Sequence, residues 1–395
     1  MNNMRAFEWN KYRKIRVVDI PELTEKIIFG NDYNQPIRPN VLPKTLRTIK
    51  FGDEFHQIIE LNVLPEYLET IEFGCCYNQP IRPNVLPRTL KTIEFGDEFN
   101  QIIELNVLPE YLETIEFGCS YNQPIMPNVL PDSLKTIVFW SGFEKITSPN
   151  ILPDNIRSIV IGDMFNQIIK PNVLPDSLET IVIGDEFDQK IGRDVLPKNL
   201  RSIELGDDFN QYIGLGVLPK SLKTIRFGGR FNQIIERNVL PDTLEAIEFG
   251  ACFNQRIGLN VLPNTLKSIK YGREYNQPIT AIYQLDYIEE ISIFTRNMVE
   301  INIELLPPSL KYLCTNNENI LMSLNAEAQR MWFTIIYTGQ DELLEITYPI
   351  VWRSCEPYGD DYKVIGTEMI DGREYDKIIN PEHYQPRTNS KSARK

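Results

Sequence analysis

Histidine, paired cysteines and phosphate-binding loops are scarce or absent in this sequence. Only two histidines occur in 395 residues, His56 and His383, so neither a histidine-based triad nor a histidine metal cluster is expected. The six cysteines form no Cys-x-x-Cys pair, which leaves no disulfide framework and no metal-ligand spacing. Neither a Walker-type nor a Gly-x-Gly-x-x-Gly loop is present. We therefore expect no catalytic residue, no metal and no cofactor.

Long apolar runs are also missing. No stretch of about 18 apolar residues is long enough to cross a membrane, and residues 1–20 lack the apolar core of a signal peptide. No Asn-x-Ser/Thr glycosylation acceptor occurs either. With unpaired cysteines, these absences predict a reducing, intracellular compartment, the cytoplasm.

Positive charge is in deficit, because the formal net charge is −13. A strongly acidic chain is a poor match for nucleic acid or an anionic membrane, since both present negative charge. We expect neither as a partner. An acidic surface can also serve solubility alone.

What the sequence does contain is a repeat of 22 residues. Leu-Pro recurs in a single phase, with the register reaching back to Pro21 and, past a non-matching Leu285, forward to Pro307. The uninterrupted series places proline at 43, 65, 87, 109, 131, 153, 175, 197, 219, 241 and 263. Residues 33–76 and 77–120 differ at only five of 44 positions, which indicates duplication of a two-repeat block.

Further columns keep this phase. An aromatic residue occupies 33, 55, 77 and their successors, asparagine often follows it, and glycine marks 30, 52, 74, 96, 118, 162, 184, 206, 228, 250 and 272. The repeat at 139–153 lacks both the phased glycine and the Asn-Gln pair. It could be a kink, a contact point or neutral divergence.

One unit shows the physical logic. Ile93 and Phe95 alternate with polar residues, which predicts a short strand with one buried face. Gly96 then permits a turn, and Pro109 suits a turn on the back of the coil. One coil buries too little apolar surface to offset its ordering entropy, so coils must stack and pair their strands in parallel. We expect the asparagine column to bond backbone at each turn.

The pattern Phe-Asn-Gln-x-Ile, followed by Leu-Pro-x-x-Leu-x-x-Ile-x-Phe-Gly, resembles the FNIP repeat, a relative of leucine-rich repeats. Residues 33–37, 77–81 and 121–125 fit it best. The resemblance implies a β-rich solenoid, a leucine-rich-repeat-like stack of 22-residue coils with a parallel sheet on one face. FNIP proteins are typical of social amoebae and of giant viruses that infect amoebae, so a viral origin would place this chain in host cytoplasm. Some members carry an F-box, which implies a ubiquitin-ligase adaptor.

Three regions are predicted. Residues 1–20 form an N-terminal cap, 21–314 the solenoid, and 315–395 a small C-terminal α+β module with a basic tail. Within the last region we expect a short helix over 325–330 and a hairpin over 362–379 that turns at Asp371-Gly372.

The outward-facing strand positions are the candidate binding surface. One column is mostly threonine and serine, which suits a flat stack. The next column holds three successive valines flanked by charges, and we expect an exposed apolar patch that binds a partner. The predicted site comprises Val138, Val160, Val182, Glu94, Glu116, Glu204 and Arg226. Cover by another part of the same chain is the alternative.

The sequence therefore predicts a non-enzymatic intracellular scaffold that binds an unidentified protein on its strand face. A substrate-recognition adaptor for ubiquitin-dependent degradation is one alternative. A structural solenoid that self-associates is another, and the sequence leaves the oligomeric state open.

Overall fold

A computed structural model of the chain describes residues 5–143, 145, 149, 151–317 and 320, and the backbone of 334–338, 343–347, 351–358 and 361–369. These residues form two compact units, Met1–Leu244 and Glu245–Lys395. The helical segments whose bounds the structure gives are three 3₁₀ turns, Val17–Asp19, Ile282–Gln284 and Ile303–Leu305, and Ile320 is also helical.

The first unit is a stack of short parallel strands, one from each coil. In chain order, β1 to β11 are Ala6–Trp9, Lys26–Phe29, Thr48–Lys50, Thr70–Glu72, Thr92–Glu94, Thr114–Phe117, Thr136–Phe139, Ser158–Ile161, Thr180–Ile183, Ser202–Leu205 and Thr224–Arg226. Each pairs in parallel with the next, and from β2 onward the partners lie 22 residues apart, as Ile71 does from Ile93. The predicted stack of short parallel strands is confirmed.

The second unit continues the same coil type. Strands β12 to β19 are Ala246–Glu248, Ser268–Tyr271, Glu290–Ile293, Tyr312–Thr315, Thr334–Thr338, Leu343–Thr347, Val351–Tyr358 and Asp361–Met369. Pairing is parallel from β12 to β16 and antiparallel from β16 to β19. The expected helix at 325–330 and the turn at 371–372 lie outside the described residues. The division of the chain at 20/21 and 314/315 stays a prediction.

The interior of each coil is filled as the alternation predicts. Ile93 is fully buried and Phe95 and Phe99 nearly so, while Glu94 on the opposite face is half-buried. The Phe95 ring lies 3.8 Å from that of Phe99 and 5.5 Å from that of Phe73, between centroids. Rings in this first stretch therefore stack along the solenoid as well as within each coil, which adds to their area burial.

The asparagine column forms the hydrogen-bonded ladder that the repeat predicts. The Asn100 side-chain oxygen accepts a bond of 3.0 Å from the backbone N–H of Asn122 and another of 3.0 Å from the Gln123 amide. Asn100 in turn donates its backbone N–H to the side chain of Asn78 at 3.0 Å. Asn100 thus ties its own coil to the next through two donors, as Asn78 and Asn210 also do, whereas the side-chain oxygen of Asn122 has no hydrogen-bond partner among the described residues.

The glycine column has a different cause from the one expected. Gly96 was expected to permit a turn, but Gly216 is the one described glycine with left-handed φ. A Cβ on Gly96 would instead lie 2.0 Å from the carbonyl oxygen of Gly74. Glycine is favoured because the backbones of adjacent coils approach closely at this slot.

Trp140 occupies this glycine slot in the divergent repeat, and the stack changes there. Its backbone N–H donates to Phe117 at 3.2 Å, whereas Gly184 donates to Ile161 at 2.8 Å. Among described rings, stacking runs unbroken to Phe143 and resumes at Phe165 without a contact between these two. The irregular repeat therefore coincides with an interruption of the ring column.

A second asparagine column, which the sequence reasoning did not single out, lies on the back of the coil. Its members adopt left-handed backbone: Asn40, Asn62, Asn84, Asn106, Asn128, Asn172, Asn238 and Asn260 have φ from 60° to 66°. In one such turn the Val85 N–H donates to the Arg82 carbonyl at 3.3 Å, with Pro83 and Asn84 between them. Proline followed by asparagine favours a type II turn, and that dipeptide, at 39–40, 83–84, 127–128 and 171–172, is the signal that part of the column offers.

Asn106→Val is expected to destabilise the fold by about 1–3 kcal/mol, because a β-branched side chain is strained at φ 64°. Asn106→Gly should stay within about 1 kcal/mol of the parent, since glycine adopts this conformation freely and Gly216 fills the same slot with φ 77°. Urea melts of both variants measure the difference. Equal midpoints would show that the left-handed backbone does not select the residue.

Candidate functional site: the strand face

The strand face of the first unit carries two kinds of charged row. An edge row precedes each strand and largely alternates in sign: Arg47, Glu69, Lys91, Glu113, Lys135, Arg157, Glu179, Arg201 and Lys223. Lys135 approaches Glu113 to 2.9 Å and Lys91 approaches Glu69 to 3.4 Å. These side chains are substantially solvent-exposed, so each pair contributes little to stability. The edge row therefore forms a border in which positive and negative charges are nearly balanced.

A groove of about 530 Å³, lined by polar and charged residues, runs beside this border. Edge-row side chains line one part of it, and Tyr111, Asp132 and Asn155 line another. None of the seven residues of the predicted site lines it. Its charges are largely paired with one another, as the ion pair between Lys135 and Glu113 shows. No constellation in it has the geometry of a catalytic group with its orienting partner.

The predicted binding residues lie in a second row, within the strands themselves. Parallel pairing joins Glu94 to Glu116, Glu116 to Val138, and each valine to the next. Val182 then pairs with Glu204, and Glu204 with Arg226. The structure thus brings all seven predicted residues into one continuous row, which we call the central row.

The valines are less exposed than expected. Val138 is only 8% exposed, and Val160 and Val182 are half-buried. The expectation of an exposed patch is wrong at Val138. Parallel strands lie about 4.8 Å apart, so each valine is covered on two sides by its neighbours in the row. What remains accessible is a narrow apolar strip around Val160 and Val182.

Two acids of the central row, Glu94 and Glu116, are not neutralised as other charges of the row are. Lys50 pairs with Glu72 at 2.8 Å and Arg226 with Glu204 at 3.0 Å, whereas Glu94 and Glu116 form no ion pair with any described residue. Partial burial raises the pKa of Glu94, and the like charges of Glu72 and Glu116 raise it further. Glu72 belongs to the same row and was left out of the predicted site, although the 22-residue spacing from Glu94 already indicated it.

Comparison with known proteins explains the repeat. The FNIP repeat model matches residues 9–54, 46–76, 55–98, 77–120, 99–142, 121–164, 143–186, 165–208, 209–252 and 253–283. The chain belongs to the FNIP repeat family. The resemblance in the sequence is therefore confirmed, and so is the leucine-rich-repeat-like solenoid that it implied.

Among solved structures, the chain is similar to CroV588, a circular leucine-rich-repeat protein from a giant virus. The identity is 43% and the TM-score 0.74, over 78% of this chain and 46% of CroV588. This FNIP chain therefore spans about half the length of that relative. A chain of the Drosophila Toll–Spätzle complex aligns at 11% identity with a TM-score of 0.46, over 85% of this chain and 49% of that one; a likeness this low supports no conclusion. None of the curated proteins compared with the chain matches it.

The fold bears on function at a coarse level. FNIP and leucine-rich-repeat solenoids are typical of protein-interaction scaffolds rather than of catalysts, because stacked coils build an extended surface instead of an enclosed pocket. In the part of the chain that the structure describes, no helix is long and apolar enough to cross a membrane.

Proposed function

We propose that this FNIP protein is a non-catalytic, intracellular scaffold that binds a partner protein on the central row around Val160. The observation that carries the proposal concerns the central row. Its side chains differ from coil to coil, while the backbone pairing keeps one register. Successive members run from glutamate through valine to arginine, yet the backbone partners keep one register. A row required only for packing would not need this variety.

The composition of the row favours a partner segment with an apolar residue beside a basic one. Val160 and Val182 offer apolar surface that is only half-covered, which suits a small hot spot. Glu94 and Glu116 offer carboxylates that form no ion pair among the described residues. A basic side chain of the partner would form an ion pair with them. Complementary charge of this kind contributes mainly to specificity and association rate.

Two narrower functions remain as alternatives within this proposal. An adaptor for ubiquitin-dependent degradation would recruit ligase components, and residues 315–395 are the segment to test for that binding. A self-associating structural solenoid would use a second copy of the chain as its partner, which a mass measurement in solution would reveal.

Val160→Glu is expected to weaken partner capture by at least about 5-fold, equivalent to about 1 kcal/mol. The fold should persist, because glutamate already fills the same slot at Glu94, Glu116 and Glu204. The measurement compares proteins recovered from cell extract by the intact chain and by the variant, with circular dichroism as a check of folding.

Glu66→Lys is the matched control, since Glu66 is exposed on the Leu-Pro side of the coil. It should recover the same partners as the intact chain. If both folded variants recover the same partners equally well, the central row is not the binding site.

A further inference from the structure

A cluster of thiols and carboxylates lies on the turns that follow two adjacent strands, away from the central row. Cys75 and Cys76 form the two-residue turn after β4. Coil stacking places this turn between 53–54, which is Asp-Glu, and 97–98, which is also Asp-Glu. The Cys76 N–H donates to the Asp53 carbonyl, and the Glu98 N–H donates to the Cys75 carbonyl, both at 2.9 Å. Backbone bonds therefore fix the register of the three turns.

The geometry of this cluster suits a metal ion. The two sulfur atoms of Cys75 and Cys76 and one carboxylate oxygen of Glu98 all lie within 4.8 Å of one another. Tetrahedral Zn²⁺ with bonds of about 2.0–2.3 Å separates its ligands by about 3.5–4 Å. Small side-chain rotations would close the difference, since Glu98 is exposed and both cysteines are only half-buried.

The electrostatic field at the cluster also favours a cation. Partial burial raises the pKa of both thiols, and nearby carboxylates, Glu98 among them, raise each further. The same carboxylates attract a divalent cation, whose own charge reverses the effect on the thiols. Thiolate sulfur selects soft or borderline ions over Mg²⁺ and Ca²⁺.

We propose that Cys75, Cys76 and Glu98 bind Zn²⁺ or a chemically similar divalent ion, with water as the fourth ligand. Binding forms two sulfur–metal bonds and one oxygen–metal bond, and the two thiol protons pass to the buffer. Since the ligands come from two coils, the ion would link the turn after β4 to the turn after β5. The site lies outside the central row, so the metal-binding proposal can be tested separately from partner binding.

The duplicated block supplies an internal control. Cys119-Ser120 occupies the same place in the second copy as Cys75-Cys76 in the first, and the chain folds there with one thiol instead of two. Cys76→Ser therefore reproduces a turn that this fold already accommodates. Cys119→Ser removes a thiol from an equivalent turn without touching the three proposed ligands.

The test titrates the purified full chain, reduced with a reagent that does not bind metal, with Cd²⁺ and then with Zn²⁺. Cd²⁺ is followed by ultraviolet sulfur-to-metal charge-transfer absorption, and Zn²⁺ by calorimetry in two buffers of different ionisation enthalpy. We expect one ion per chain and release of about two protons per ion at a pH where both thiols are protonated. Cys76→Ser should weaken binding by at least about 100-fold, and Glu98→Gln by at least about 10-fold, because ligand loss exceeds the effect of losing an outer-shell partner.

Cys119→Ser should bind as the parent does. The assignment is overturned if the parent chain shows no stoichiometric charge-transfer band. It is overturned equally if folded Cys76→Ser keeps the parent affinity, or if Cys119→Ser loses binding to the same extent.

Discussion

Gly96→Ala is expected to destabilise the protein by at least about 2 kcal/mol, more than other single-methyl additions on the surface. The added Cβ would lie 2.0 Å from the Gly74 carbonyl oxygen and 2.4 Å from its carbonyl carbon. Because the obstacle is a backbone carbonyl, which also accepts a hydrogen bond from the Tyr77 N–H at 3.2 Å, no side-chain rotation can relieve the overlap. The adjacent coils must separate, which weakens both the ladder and the stacked rings.

Gly192→Ala is the control for this change. Its Cβ would meet nothing closer than a Val195 methyl at 3.6 Å, an ordinary contact, and its φ lies outside the left-handed region. Loss of chain flexibility in the unfolded state should leave this variant neutral or slightly stabilised, within about 1 kcal/mol. Urea melts of both variants decide the matter, and equal losses would mean that close coil approach is not what selects glycine.

Asn100→Leu is expected to cost about 2–4 kcal/mol, the second large effect. The side-chain oxygen of Asn100 accepts from the Asn122 backbone and from the Gln123 amide, each at 3.0 Å. Leucine would leave both donors without this partner in a half-buried position, at about 1–3 kcal/mol for each unsatisfied group. Denaturant melts give the free energy of unfolding directly.

Two controls distinguish the loss of these hydrogen bonds from the effect of any substitution at or near position 100. Asn100→Asp keeps the acceptor oxygen, and the chain already uses it at Asp188, which accepts from Asn210 and Gln211 at 2.9 Å each. Asp97→Ala changes an exposed side chain nearby and should stay within about 0.5 kcal/mol of the parent. If Asn100→Leu were no worse than Asp97→Ala, the ladder would not be a source of stability.

The periodicity of the sequence predicts the coil well because packing and hydrogen bonding repeat with it. Ile93 marks the buried centre of its strand, and Asn100 the rung of the ladder, as expected. Both follow from local rules: alternation for the strand, and the need of loop backbone for partners. Because the 22-residue register is strict, the packing and hydrogen bonding predicted for one coil apply at the equivalent positions of its neighbours.

Other features depend on distances between coils, which a single unit does not reveal. The glycine at 96 reflects the close approach of Gly74 from the preceding coil, so reasoning from one turn gives the wrong cause. Val138 is covered by Glu116 and Val160 on either side, so its place in an outward column overestimates its exposure. The thiols and the Glu98 carboxylate lie on turns of adjacent coils. Their proximity follows only from the 22-residue spacing between Cys76 and Glu98, not from the sequence of a single coil.

Photo-crosslinking from the central row tests the proposed function most directly. A benzophenone amino acid in place of Glu116 reports on a partner seated beside the valines while leaving Val160 and Val182 unchanged. The same amino acid in place of Glu66 samples the Leu-Pro side. We predict that illumination of the complex crosslinks the captured partner from position 116 and not from position 66. Crosslinking from position 66 alone would contradict binding on the central row.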